Sequence, residues 1–458
     1  MNEVAVMNKI NESDKDYQKD LGDGLILRRA IPQDSDALTD FNGRIHGPDD
    51  SEEPEERVAV WTRDLFERPH PTFEISDFTL VVDTKTDTIV SSLNLISQTW
   101  SYAGINFKVG RPELVGTDPE FRGRGLIRAQ FELIHQWSSK RGEMLQAITG
   151  IPYYYRLFGY EMALDLGGGR AGFRSQIPQL DEGQDEPFRI RPASETDLTF
   201  LVDLYAQASQ RYLVSCFRDE STWRYELNGK SPQNVNRTEI KIIETESGDP
   251  VGYFLHSAFR WGAMMAATGY EIKPGISWAA VTPTVIRYLC SIGEEYPTES
   301  GEDKEFGEFG FWLGGEHPVY KVIPDRLPRV RHPYAWYLRV PNLPAFIRHI
   351  ASELEARLAD SFLVGYSGVL KITFYHSGLR LVFKQGRLVE VDDWNPTPHG
   401  HSGEAGFPEL TFLQLVFGYR NLEELKYAFA DCWTKSDQIS ALLEALFPKR
   451  ASRVWPIS

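Results

Sequence analysis

The stretch Pro119 to Arg128, PEFRGRGLIR, sets two Arg-Gly pairs side by side, Arg122-Gly123 and Arg124-Gly125. Guanidinium groups make charge-assisted hydrogen bonds to phosphate and carboxylate. Glycines carry no Cβ, so a backbone built from them can close on an anion. The residues therefore suit an anion loop, and equally the basic start of an ordinary surface helix. Neither the GxxxxGK[ST] spacing of a P-loop nor GxGxxG is present. Two other sets of residues bear on chemistry. His399 and His401, with Gly400 between them, offer metal-ligand side chains with no third partner in view, so no metal site is predicted. Cys216, Cys290 and Cys432 are far apart, odd in number and without a CxxC. That excludes a disulfide scaffold or zinc ribbon and points to a reducing cytoplasm.

The elements around the loop decide what it can do. RPELVGT reads as a strand before it, and Ile127, Phe131 and Ile134 then recur at helical spacing. The loop thus joins a strand to a helix, where first-turn N–H groups lack intrahelical partners and the helix dipole favours an anion. A diphosphate is the natural guest. Upstream, DFTLVVD and IVSSLNLIS flank a TKTDT turn as a hairpin. Downstream, MLQAITG is a further strand and leads into IPYYYRLFGYEM.

LILRRAIPQDSDALTDFN, from Leu25, is echoed by FRIRPASETDLTFLVDL, from Phe188. Arg28-Arg29-Ala30 to Asp34 matches Arg191-Pro192-Ala193 to Asp197, which suggests two copies of one domain type. LGGGRAGFRSQIPQLDEGQDEP, Leu166 to Pro187, is expected to be a crossover or linker. In the second copy, ISWAAVTPTVIRYLCSIGEEY is expected to close a strand at Val281-Thr282-Pro283, with no glycine pair following. From Val340 the pattern changes. LPAFIRHIASELEARL is helical; Leu370, Ile372, Phe374, Leu379, Leu381 and Phe383 then alternate about Ser-Gly and Gln-Gly turns, as in an antiparallel meander. SDQISALLEALFP reads as a closing helix capped by Ser436, with Ile439, Leu442, Leu443 and Leu446 on one face.

Arg122-x-x-Gly125-x-Ile127 resembles the pyrophosphate loop of the GNAT superfamily of N-acetyltransferases, although Ile127 stands where that pattern has Gly or Ala. ELVGTDP resembles the superfamily's splayed fourth strand. YRLFGYE resembles its Tyr-x-x-Phe-Gly-Tyr, with Tyr155, Phe158, Gly159 and Tyr160 at the matched positions. The whole chain from about residue 25 resembles the Eis (enhanced intracellular survival) acetyltransferases. The resemblance implies an α+β chain. It would comprise a flexible tail (1–24), a catalytic GNAT domain (25–180), a degenerate GNAT-like domain (181–338) and a sterol-carrier-protein-like domain (339–458).

It further implies acetyl-CoA as co-substrate. The cofactor-binding residues would be Val115, Gly116 and Thr117 on the strand, Arg122, Gly123, Arg124, Gly125, Leu126 and Ile127 in the loop, and Gly150 and Ile151 after the next strand. Tyr155 would protonate the leaving thiolate. The carboxylate of Ser458 would act as base, with Trp455 anchoring the tail, and Glu113 is the other candidate base. The acceptor would be an aminoglycoside-like cation. Asp49, Asp50, Glu52 and Glu53 would rim its pocket, with Trp61 and Phe66 as walls. A hexamer built from trimers is implied as well.

The net charge of -16 disfavours nucleic acid and anionic membranes and favours cationic partners. No run approaches the roughly 20 apolar residues of a membrane span. Polyamines or the amines of proteins are alternative acceptors. A non-enzymatic carrier binding an apolar ligand in the last domain is the reading outside catalysis.

Overall fold

The computed structural model describes residues 17–47, 54–299, 301, 304–397 and 402–455. The chain divides into two compact units. The first comprises Met1–Gln98, Lys108–Gln146 and Gly229–Val235, and the second Thr99–Phe107, Ala147–Asn228 and Asn236–Ser458.

In the first unit, strands β1 (Gln18–Gly22), β2 (Leu25–Arg29), β3 (Phe78–Asp83), β4 (Thr88–Tyr102), β5 (Ile105–Thr117) and β6 (Leu145–Ile148) follow one another across a sheet. The tip of the β4–β5 hairpin, Thr99–Phe107, belongs to the second unit. Register is antiparallel for β1 with β2, β2 with β3 and β3 with β4. It turns parallel where Val109 and Gly110 of β5 meet Leu145 and Gln146 of β6. The helices are α1 (Ser35–Ile45), α2 (Glu56–Glu67) and α3 (Leu126–Lys140). Leu38, Phe41, Trp61 and Leu65 of α1 and α2 pack on Phe78, Leu80, Ile96 and Leu114 of the sheet. Ile127, Phe131, Ile134 and Trp137 make the buried stripe of α3, as the 3.6-residue period requires.

The second unit contains β7 (Glu161–Leu166), β8 (Gly169–Phe173), β9 (Arg189–Pro192), α4 (Leu198–Ser209), β10 (Val214–Cys216), α5 (Glu220–Arg224), β11 (Thr238–Glu244), β12 (Pro250–Ser257), β13 (Met264–Ile272), α6 (Trp278–Glu295), β14 (Glu308–Phe311), β15 (Arg329–Arg331) and β16 (Tyr334–Arg339). A seven-stranded sheet runs β15-β8-β14-β13-β12-β11-β9. Its core gathers Phe254, Met265, Val285, Ile286, Leu289, Phe309 and Phe311. β16 pairs antiparallel with β7, Tyr334 opposite Leu166 and Tyr337 opposite Met162. The meander β17 (Gly368–Thr373), β18 (Gly378–Lys384), β19 (Arg387–Asp393) buries Leu370, Ile372, Leu379, Leu381 and Phe383.

The sequence echo is a structural repeat. In both places a strand, a short 3-10 turn and a helix succeed one another. Arg28 donates to both oxygens of Asp34 at 2.7 Å, and Arg191 to both oxygens of Asp197 at 2.8 Å. The amides of Ile31 and Ser194 each donate to the same carboxylates at 2.8 Å. The order then repeats: β3, β4, β5, α3, β6 against β11, β12, β13, α6, β14, with β13 and β14 parallel as β5 and β6 are. The fold is α+β.

Three expectations are corrected. The tail expected over 1–24 ends earlier, because Gln18–Gly22 pair with β2. The supposed linker opens on β8, a strand inside the seven-stranded sheet. Val281-Thr282-Pro283 does not close a strand: it lies within α6, where burial of Val281, Val285, Ile286 and Leu289 outweighs the hydrogen bond that Pro283 cannot make. Trp61 is buried in the first unit's core and Phe66 packs against it, stacked on Phe78 at 5.5 Å.

Candidate active site

The loop sits in the first unit. Asp118 ends the strand, its amide donating to Val90 at 2.9 Å, and its carboxylate accepts from Glu120 N–H at 3.1 Å and Arg44 at 2.9 Å. Burial raises the Asp118 pKa. The Arg44 and Glu120 hydrogen bonds and the charges of Arg44 and Arg122 outweigh it, so Asp118 stays below its ordinary 3.8. Gly123 and Gly125 both take left-handed φ, +78° and +77°, and a Cβ on either would meet nothing within 4 Å. Gly125 is the N-cap of α3 and brings no side-chain cap. The first turn of a helix therefore opens on space, flanked by the exposed Arg122 and Arg124, which is the arrangement an anion needs. Leu126 and Ile127 turn their side chains inward and are buried, so they can offer only backbone. Burial of this position in α3 accounts for an isoleucine there.

The corresponding helix in the second unit is built differently. Ser277 caps α6, its side chain accepting from Ala280 N–H at 3.4 Å. A closed cap in place of an open glycine gives no comparable anion cradle.

β5 carries Val115, Gly116 and Thr117. Leu114 has φ +51°, a left-handed kink in a strand, which re-aims the residues after it. Gly116 leaves room for α1, since a Cβ there would stand 2.7 Å from Ile45. Its carbonyl accepts from Ser91 at 2.9 Å, and the Thr117 hydroxyl shares a 2.8 Å bond with Ser91. Glu113 is ion-paired with the buried Arg111.

Tyr155, Gly150 and Ile151 lie in the second unit. Tyr155 is in a short 3-10 turn, Tyr154–Phe158, and is buried. Tyr154, Tyr160 and Tyr337 surround its ring at 5.4, 6.4 and 5.7 Å. Burial, then its tyrosine neighbours, push the phenol pKa well up, so Tyr155 stays protonated. Gly150 has φ +135°, and a Cβ there would lie 3.1 Å from the Tyr155 hydroxyl. Ile151, Tyr153 and Leu157 are exposed apolar side chains on the same turn.

The C-terminal segment is threaded into the second unit. Leu213 N–H donates to Ala451 and Arg453 N–H to Val214, each at 2.8 Å. Trp336 Nε1 donates to Val454 at 3.3 Å, and Arg218 to the Trp455 carbonyl at 3.3 Å. The anchor at Trp455 is thus its backbone. The buried Glu271 accepts from Arg211 at 2.7 Å and faces Arg453 at 3.9 Å. Ser458 lies outside the described residues, as do Asp49, Asp50, Glu52, Glu53, His399 and His401. Sequence reasoning passed over Tyr334, Tyr337 and Arg453. Only the tyrosine spacing in PYAWYL could have drawn notice to the first two.

Residues 49–163 match the family model of the GNAT acetyltransferase domain. The chain is an enzyme of the acetyltransferase kind. No curated protein matches it. Among solved structures it is similar over 94% of its length to a GCN5-related N-acetyltransferase from Kribbella flavida, covering 97% of that chain at 18% identity and a TM-score of 0.60. A conserved protein of unknown function and probable N-acyltransferase from Enterococcus faecalis V583 is similar over 94% of this chain and 99% of its own, at 15% identity and TM-score 0.63. Eis1 from Mycobacterium abscessus is similar over 95% of this chain and 99% of its own, at 14% identity and TM-score 0.55. At such identities the likeness concerns the fold. GNAT domains use acetyl-CoA, and both the loop and Tyr155 fall inside the matched residues. Among the described residues no helix is long and apolar enough to cross a membrane, and no group of His, Cys, Asp or Glu could hold a metal ion.

Proposed function

We propose that this chain transfers the acetyl group of acetyl-CoA to a primary amine of a cationic, multi-amine small molecule. The observation that carries the reading is the uncapped, left-handed Gly125 start of α3, open to an anion. In this reading the amides of that turn, with Arg122 and Arg124, bind the pyrophosphate of coenzyme A. The neutral amine attacks the thioester carbonyl, the C–S bond breaks, and the sulfur takes a proton from the Tyr155 hydroxyl. A base takes the proton released by the amine, and that proton returns through solvent to the Tyr155 phenolate. Burial keeps the Tyr155 hydroxyl protonated, so a proton is present there to donate.

The base is assigned to the carboxylate of Ser458. In support, the chain is hydrogen bonded in place as far as Trp455, and Glu113 is engaged by Arg111. A cationic acceptor is supported by the charge of -16, and an aminoglycoside-like one is what the resemblance of the sequence motifs to the Eis acetyltransferases implies. Residues from 339 onward are read as sterol-carrier-protein-like and the assembly as a trimer-based hexamer.

Thiol release from acetyl-CoA with a panel of aminoglycosides, polyamines and lysine peptides tests the activity. Turnover is expected with the multi-amine cations; bound CoA without thiol release from any amine would refute it. Deleting the residues after Trp455 should lower kcat and leave CoA affinity intact. Unchanged kcat would remove the terminal carboxylate from the mechanism.

A further inference from the structure

β16 does more than complete the edge of β7. Its two tyrosines reach the turn that carries Tyr155, from 184 residues away in the chain. The Tyr337 hydroxyl accepts from Tyr153 N–H at 2.6 Å. The Tyr334 hydroxyl donates to the Gly150 carbonyl at 2.9 Å. The register between β16 and β7 shifts here, with Trp336 opposite Leu164 and Tyr337 opposite Met162, so that Ala163 of β7 is passed over. Tyr337 is fully buried, and its ring packs on that of Tyr155 at 5.7 Å.

The two anchored residues are those whose backbone is least ordinary. Tyr153 sits at φ +62°. A non-glycine residue holds such a φ only where its surroundings impose it. Gly150, at φ +135°, lies against the Tyr155 hydroxyl. Tyr153 and Gly150 bracket the entry to the 3-10 turn, so fixing both fixes the direction in which the Tyr155 hydroxyl points.

We propose that Tyr337, seconded by Tyr334, is a positioning residue for the Tyr155 hydroxyl: the two phenols lock the Gly150–Tyr153 backbone so that the acid meets the leaving sulfur. The inference rests on Tyr155 being that acid. Tyr153 is 68% exposed, yet its amide donates to the hydroxyl of the fully buried Tyr337. A bond that served stability alone would be lost in melting temperature, with kcat unchanged. A bond that aims the acid would be lost in kcat, because a misplacement of about 1 Å can remove about a hundredfold in rate.

The test is a double-mutant cycle of Tyr155→Phe and Tyr337→Phe in the full chain, with acetyl-CoA and the best acceptor of the amine panel. CoA affinity and melting temperature are recorded for each variant. Tyr337→Phe is expected to lower kcat by tenfold or more, with KM and CoA affinity within twofold of the parent, and to have under a twofold effect once Tyr155 is Phe. Tyr334→Phe is expected to show the same pattern with a smaller loss, and carries the test should Tyr337→Phe fold poorly. A large loss in Tyr155→Phe with none in Tyr337→Phe, or equal Tyr337→Phe losses in both backgrounds, overturns the positioning role alone. Full activity in Tyr155→Phe overturns the acid assignment and this inference together.

Discussion

Gly125→Ala separates what the loop does for the fold from what it does for a ligand. Gly22 supplies the control. Both glycines have left-handed φ, +77° and +86°, and a Cβ on either meets nothing within 4 Å. Each alanine should therefore incur the same strain, about 1–2 kcal/mol, offset by roughly 0.4–1 kcal/mol from the stiffer unfolded chain. At about 2.1 cal/mol/K of unfolding entropy per residue over 458 residues, a net loss of about 1 kcal/mol should lower Tm by roughly 1 °C in either variant. Only at Gly125 does the added methyl stand where an anion would approach the first turn of α3. Losing one charge-assisted hydrogen bond there, about 1.5–3 kcal/mol, should weaken CoA binding roughly 10- to 150-fold. Titration calorimetry with CoA measures it, and Gly22→Ala should bind as the parent does. Equal CoA affinity in the two variants, with both showing the Tm loss, would refute the anion-loop reasoning.

Tyr155→Phe should reduce kcat by roughly 10²- to 10⁴-fold with CoA affinity preserved, read by thiol release. Asp197 is held below its ordinary 3.8 chiefly by the hydrogen bonds from Arg191. A depressed carboxylate contributes stability that is present above that value and lost as pH falls through the lowered one. The gap in urea midpoint between parent and Asp197→Asn should therefore be open at pH 6 and shrink toward pH ~2; a constant gap would refute the linkage. Arg453→Met removes one of the two arginines beside Glu271, the one on the C-terminal segment, and should speed carboxypeptidase trimming of that segment without changing CoA affinity.

What could be foreseen follows from how local the causes are. The stripe of α3 and the Gln385-Gly386 turn of the meander are fixed by neighbours in sequence, and both are present in the fold. The Arg28–Asp34 and Arg191–Asp197 forks span a few residues each, so a short pattern revealed them. β8 was hidden for the opposite reason. A Cβ on Gly172 would stand 2.1 Å from the Arg326 carbonyl, so close backbone approach demands glycines that read as a linker. Pro283 reads as a boundary in sequence because its helix is held by tertiary burial rather than by propensity. The loop and Tyr155 were legible as motifs. The tyrosine anchors were not, because pairing of β16 with β7 is decided by contacts far apart in the chain.

The placement of β16 also sets a schedule. A nascent chain that has just emitted Leu166 already contains the glycine loop and Tyr155, yet the strand that anchors the tyrosine turn ends at Arg339. At about 5–20 residues per second, ribosomes need roughly 9–35 s to supply it. Through that interval the edge of β7 and the turn before it lack their later partner. A gene fragment confined to the matched acetyltransferase residues would stay in that unfinished condition permanently.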